Sequence, residues 1–269
     1  MNPSTPLLPL EGGGGYKPPS LEDFRFNGLP GWWDSAPAWL NKPFVMAVIA
    51  AVLVIVVWLL ASRKLAVLPS KRQFFWEYIY DFIRNGVARD ALGHDFRRYL
   101  PYLLGLFSFI WVNNVFGVFP LFMFPTFSNV GYAWGLAILS WIIYNAAGIA
   151  RHGGKYFKNS LFPAGVPAPL YILITPIELL SNFIVRPVTL GLRLFGNMFA
   201  GHLVVLVFVV GGTYLLTESQ GLFYKFAGGV SLVFSFAIFA LELLVATLQA
   251  YIFTVLTAQY VASSLAEDH

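Results

Sequence analysis

The chain has 269 residues, of which 58% are hydrophobic and only 11% charged, with a formal net charge of +4. Soluble domains carry about 25% charged residues, so this composition excludes an ordinary soluble fold and points to a polytopic membrane protein. Cysteine is absent, which excludes disulfides, iron–sulfur clusters and thiolate metal sites.

In chain order, residues 1–42 read as a flexible external tail, rich in Gly and Pro and without a basic leader region. The GGGG at 12–15 lacks a following Lys-Ser/Thr and a helix, so it reads as linker and not as a phosphate loop. No nucleotide is expected to bind the chain directly. With no basic domain, nucleic acid is not an expected partner either. Residues 43–269 form one membrane domain. Its first span is 43–61, preceded by Trp32, Trp33 and Trp39 as an interfacial aromatic belt and followed by Arg63, Lys64, Lys71 and Arg72. The positive-inside rule puts that end in the cytoplasm and the N-terminus outside.

Residues 71–92 are too charged to span. Phe75, Ile79, Phe82 and Ile83 fall at helical spacing, which predicts an amphipathic helix, either on the cytoplasmic membrane surface or packed on protein. The second span is 100–124 and the third 131–149. Arg151, Lys155 and Lys158 then return the chain to the cytoplasm, and 152–170 read as a Gly/Pro-rich connector.

Two long apolar segments close the chain, 171–212 and 226–263, with TESQ at 217–220 in the turn. The C-terminal AEDH is then cytoplasmic. Forty-two residues of helix measure roughly 63 Å at 1.5 Å per residue, against a hydrocarbon core of about 30 Å. The hairpin must therefore tilt strongly or break, and Pro176 and Pro187 are the places where it would bend.

On an ideal wheel of about 100° per residue, Glu178, Asn182, Arg186, Thr189, Arg193 and Asn197 share one face. In the last segment Ser231, Ser235, Glu242 and Gln249 form a second stripe. For Ser231, Ser235 and Asn182, interhelical hydrogen bonding accounts for the stripe as well as a transport role does. It does not account for Arg193: a charge at mid-membrane costs about 2.5–3.5 kcal/mol on insertion scales and is retained for a partner charge or a wet path. Arg186, nearer a membrane face, reads equally as functional, as snorkelling, or as paired with Glu178. His202 and Glu242 both titrate and sit on adjacent segments, which fits either a proton relay or a buried salt bridge. Asn113 and Asn114 lie mid-span in the second helix, lining a cavity or bridging helices. His94, His152, His202 and His269 show no metal-ligand spacing, and no metal or cofactor is expected.

LGLRLFGNMFAGH at 190–202, followed by LQAYIFTVLTAQYV at 248–261, resembles subunit a of the bacterial F-type ATP synthase, the membrane stator of a rotary motor. The resemblance covers most of the chain and implies an all-α membrane protein of five transmembrane helices with a surface amphipathic helix and a tilted C-terminal hairpin. Its implied function is to supply two proton half-channels and a fixed arginine that couple proton flow to ring rotation, with ATP chemistry on other subunits. The arginine falls on Arg193. Asn197 and Gln249 match supporting positions, His202 and Glu242 the outside-facing proton path, and Asn114 the family's asparagine on the second span. Glu178 falls near the cytoplasmic exit, with Asn182, Arg186 and Ser235 as supporting polar groups. Many bacterial members carry Glu and His at the two outer-path positions in the opposite order, so this chain exchanges acid and imidazole. Implied partners are rotor-ring subunits with a membrane carboxylate, a peripheral-stalk subunit, the lipid bilayer and protons, in a bacterial plasma membrane. The ion-selective site of such motors lies on the rotor, so the chain itself leaves proton and sodium coupling open. The rival reading is a stand-alone ion-coupled secondary transporter. Such folds often carry internal repeats, whereas LGLRLFGN occurs once.

Overall fold

The computed structural model describes residues 19, 41–63, 66, 70–119, 126–161, 170–218 and 221–266. Most of the tail, including Trp32, Trp33 and Trp39, and the connector over 162–169 lie outside the described residues. The elements are α1 (Lys42–Ser62), α2 (Lys71–Ile83), a π turn (Arg84–Arg89), α3 (Asp90–Leu92), α4 (Phe96–Val118), α5 (Val130–His152), α6 (Lys155–Leu161), α7 (Tyr171–Leu180), a second π turn (Ser181–Val185), α8 (Arg186–Thr217) and α9 (Leu222–Leu265). No strand occurs among the described residues. Five helical stretches are long and apolar enough to cross a membrane: Lys42–Ser62, Lys71–Val118, Val130–His152, Tyr171–Thr217 and Leu222–Leu265. The protein is therefore an all-α, multi-pass membrane protein.

The structure adjusts four expectations. The second membrane helix begins at Phe96, four residues before the apolar run, because Arg97 and Arg98 turn outward while Phe96, Tyr99 and Leu100 are buried. The connector is partly helical, since it contains α6, whose Tyr156 ring packs on Gly148 of α5. Residues 171–217 are one helical run of 47 residues, without a break at either proline. The amphipathic segment buries Ile83, Val87, Ala88 and Leu92, whereas Phe75 and Phe82 are exposed. Phe75 and Phe82 both lie in the regular helix α2, before the π turn; the buried face begins at Ile83 and continues through that turn.

The chain divides into two compact units. One comprises 53–111, 130–195 and 249–269. Here α1 meets α4 where Trp58 Nε1 donates to Ser108 Oγ at 3.0 Å, and Tyr102 and Ser140 hydroxyls join α4 to α5 at 2.9 Å. Phe82 of α2 touches the rings of Phe107 and Tyr251 at 6.4 and 5.4 Å. Ala133 and Ala137, four residues apart on α5, form a shallow face against which Gly191 of α8 packs; a Cβ on Gly191 would sit 3.4 Å from the Ala137 Cβ. Small residues let helix backbones approach where lipid gives no hydrophobic drive for association.

The other unit comprises 1–52, 112–129 and 196–248. Its α8 and α9 segments approach through glycine: a Cβ on Gly228 would lie 2.8 Å from the Gly212 carbonyl oxygen. Ser231 Oγ donates to the Phe208 carbonyl at 2.9 Å, and Phe208 and Phe234 rings meet at 5.5 Å. Ser231 thus acts as interhelical glue, whereas Ser235 Oγ bonds the Leu232 carbonyl of its own helix at 2.7 Å.

Replacing Gly228 by Ala should force this contact apart and cost about 1–3 kcal/mol of overpacking strain. The same change at Gly229, whose Cβ would meet nothing within 4 Å, should leave stability unchanged or slightly raised. SDS-induced unfolding midpoints of the two variants check the contrast.

Candidate functional site

The polar stripe read along the fourth segment splits in the structure. Glu178, Asn182 and Arg186 are half-buried, while Thr189, Arg193 and Asn197 are exposed. The split falls between Arg186 and Thr189, both in α8 beyond the π turn at Ser181–Val185, so the surroundings of each side chain divide the stripe.

The half-buried group is tied down by neighbours. Asn182 Nδ2 donates to Glu178 Oε2 at 3.0 Å and to Ser160 Oγ at 3.2 Å. The Arg186 guanidinium lies over the Tyr260 ring at 5.0 Å, and Tyr260 meets the edge of Tyr144 at 5.7 Å. Arg186 forms no ion pair with Glu178; cation–π attraction to Tyr260 takes that place. Ser160, Tyr144 and Tyr260 escaped the sequence reading, because none is charged and each comes from a different helix.

Arg193 lies in an apolar turn whose other side is fully packed. Leu190 and Leu194 are 1% and 0% exposed, and Gly191 rests on α5. That packing turns Arg193 away from α5. Among the described residues it makes no hydrogen bond or ion pair. Gln249, in the same compact unit, is buried.

Asn114, His202 and Glu242 belong together to the second unit, and all three are buried. Asn114 Nδ2 donates to the Ala246 carbonyl at 2.9 Å, one helical turn beyond Glu242. This favours interhelical bridging as the immediate role of Asn114, while Asn113 beside it is equally buried. The Glu242 side chain crosses to α8 and rests against Gly201, the residue before His202. A Cβ there would lie 3.0 Å from Oε1 and 3.2 Å from Cγ. Glu242 Oε1 has no hydrogen-bond partner among the described residues, although it is buried. Gly201 was legible in the sequence only as a small residue; its function as the floor beneath a carboxylate required the packing of α8 on α9.

Known proteins supply independent comparison. Residues 44–262 match the family model described as ATP synthase A chain. The chain is 44% identical over 265 residues to ATP synthase subunit a of a Nocardioides species, covering 96% of each chain. It is 40% identical over 262 residues to ATP synthase subunit a of Pseudarthrobacter chlorophenolicus, covering 97% of each. It is 35% identical over 259 residues to that of Streptomyces lividans, covering 96% of this chain and 90% of the relative. With five helices fit to cross a membrane and a family match over most of its length, the chain belongs to the ATP synthase subunit a family.

Proposed function

We propose that the chain conducts protons through two half-channels and carries, at Arg193, the fixed charge that couples their flow to rotation of the ring and so to ATP synthesis on other subunits. The carrying observation is Arg193 itself: a permanent cation on an apolar helix, exposed, and directed away from the face packed on α5. A guanidinium stays charged at any accessible pH. It therefore cannot pass a proton between the half-channels, and it attracts an ionised carboxylate strongly. At 4 Å and an effective dielectric of 20 that attraction is about 4 kcal/mol, comparable to the several kcal/mol that burial in lipid costs a carboxylate. A rotor carboxylate is thus stable ionised beside Arg193 and stable protonated against lipid, and the proton gradient between the two half-channels sets the direction of rotation.

In this reading His202 and Glu242 form the outer path, with Asn114 beside it. Glu178, Asn182 and Arg186 flank the cytoplasmic exit, and Asn197, Gln249 and Ser235 support the polar lining. The unpartnered, buried Glu242 Oε1 supports a group that exchanges protons over one that only cements helices. The partners are the rotor ring and a peripheral-stalk subunit, the N-terminus lies outside, and the C-terminus lies in the cytoplasm. The α8–α9 hairpin runs strongly tilted, since its helices outlast the bilayer thickness.

ATP-driven acidification of inverted membrane vesicles tests the central claim. Arg193→Ala should abolish it at unchanged complex abundance, while ATP hydrolysis by the soluble head persists. Full acidification by that variant would remove Arg193 as the coupling charge. Glu242→Gln should slow acidification roughly tenfold or more, and Ser235→Ala far less, because the Ser235 hydroxyl bonds only its own helix. Equal rates would make Glu242 structural. Gly201→Ala should lower the rate by displacing the Glu242 carboxylate without reducing assembly; an unchanged rate would show that the position of this carboxylate does not matter.

A further inference from the structure

The π turn before α8 leaves a backbone problem that one side chain solves. Its last hydrogen bond runs from the Arg186 N–H to the Ser181 carbonyl. In a regular α-helix that N–H would serve the carbonyl of Asn182. In the wider i→i+5 pattern the Asn182 carbonyl would take the next N–H, that of residue 187. Residue 187 is proline and has none. Both helical donors are therefore lost to one carbonyl, and a backbone carbonyl in hydrocarbon must find another.

The donor is Tyr144 of α5, whose hydroxyl reaches the Asn182 carbonyl oxygen at 3.0 Å. Tyr144 is 1% exposed, and its ring is held by the edge contact with Tyr260 of α9, itself beneath Arg186. The Asn182 side chain is fixed separately by Glu178 and Ser160. Helices α5, α8 and α9 thus converge on the one turn where the register of α8 is decided.

We infer that the Tyr144 hydroxyl, by capping the carbonyl that Pro187 leaves without a donor, holds the π turn and so sets the direction in which Arg193 points. Losing the extra residue of the π turn would rotate the following helix by about 100°, one residue's worth. Arg193 would then leave its exposed face, and neighbours such as Leu194, now 0% exposed, would exchange environments. Tyr144 is a positioning residue: it acts through α8 and touches no proton. The claim about register stands on geometry alone. Its consequence for coupling rests on the role proposed above for Arg193.

The test reads register and coupling separately, in membranes carrying the whole complex. The chain has no native cysteine, so Ala137→Cys with Gly191→Cys gives a single reporter pair two residues from Arg193. The 3.4 Å separation of their Cβ positions lies close to the 3.5–4.5 Å of a disulfide. Tyr144→Phe, which removes one oxygen, should slow formation of this disulfide roughly tenfold, the scale of an unmet buried carbonyl. In chains without the reporter cysteines it should also lower ATP-driven acidification. Pro187→Ala restores an N–H at position 187, so the Tyr144→Phe, Pro187→Ala double variant should recover both readouts. A merely space-filling tyrosine would not be rescued this way. Slowed disulfide formation with unchanged acidification would uphold the register claim and count against Arg193 as the coupling charge. Unchanged disulfide formation in Tyr144→Phe, or a defect that Pro187→Ala does not relieve, overturns the inference. If Tyr144→Phe fails to assemble, Pro187→Ala must restore assembly, and failure to do so overturns it equally.

Discussion

The close approach of Gly191 to Ala133 and Ala137 is the contact on which the rest of α8 depends. In a bilayer there is no general hydrophobic drive to bring one apolar helix against another, so shape decides which faces meet. Two alanines a helical turn apart make a shallow seat, and a glycine opposite lets the backbone settle into it. With Gly191 in that seat and Leu190 and Leu194 buried, Arg193 has to face elsewhere. A charge whose desolvation is so costly is tolerable only where a counter-charge or water meets it, which is the physical basis of the proposed coupling role.

Elsewhere in α8 and α9 the same economy of small residues recurs with a different result. Gly212 and Gly228 bring the two helices of the hairpin to backbone contact, and Gly201 opens room for a carboxylate instead of another backbone. A long acidic side chain can then cross from α9 to the helix that carries His202, although no element of the local sequence aims it there. Asn114 closes the arrangement by bonding the Ala246 carbonyl, which fixes α9 one turn beyond Glu242.

Backbone satisfaction is the second constraint. Proline in a membrane helix removes a donor that water cannot replace, and residues 171–217 nonetheless remain one helical run. The Tyr144 hydroxyl and the widened turn at Ser181–Val185 make this possible. Arg186 and Glu178 make the same point for charges. They share a face of the wheel but stand about 12 Å apart along the helix, and one stacks on Tyr260 while the other accepts from Asn182.

The sequence by itself determined the class of protein, the number of apolar segments and the membership of Arg193, His202 and Glu242 among residues needing a reason. Hydropathy and charge add up along the chain, so they need no knowledge of neighbours. Only the tertiary structure decided the direction of each residue. The ideal wheel put Glu178 and Asn197 on one stripe, yet Glu178 is half-buried and Asn197 exposed, with a π turn in the helical run between them. A helix's rotation depends on its hydrogen-bond register and on contacts made by residues far apart in sequence, as with Tyr144 and Asn182. No local periodicity carries that information.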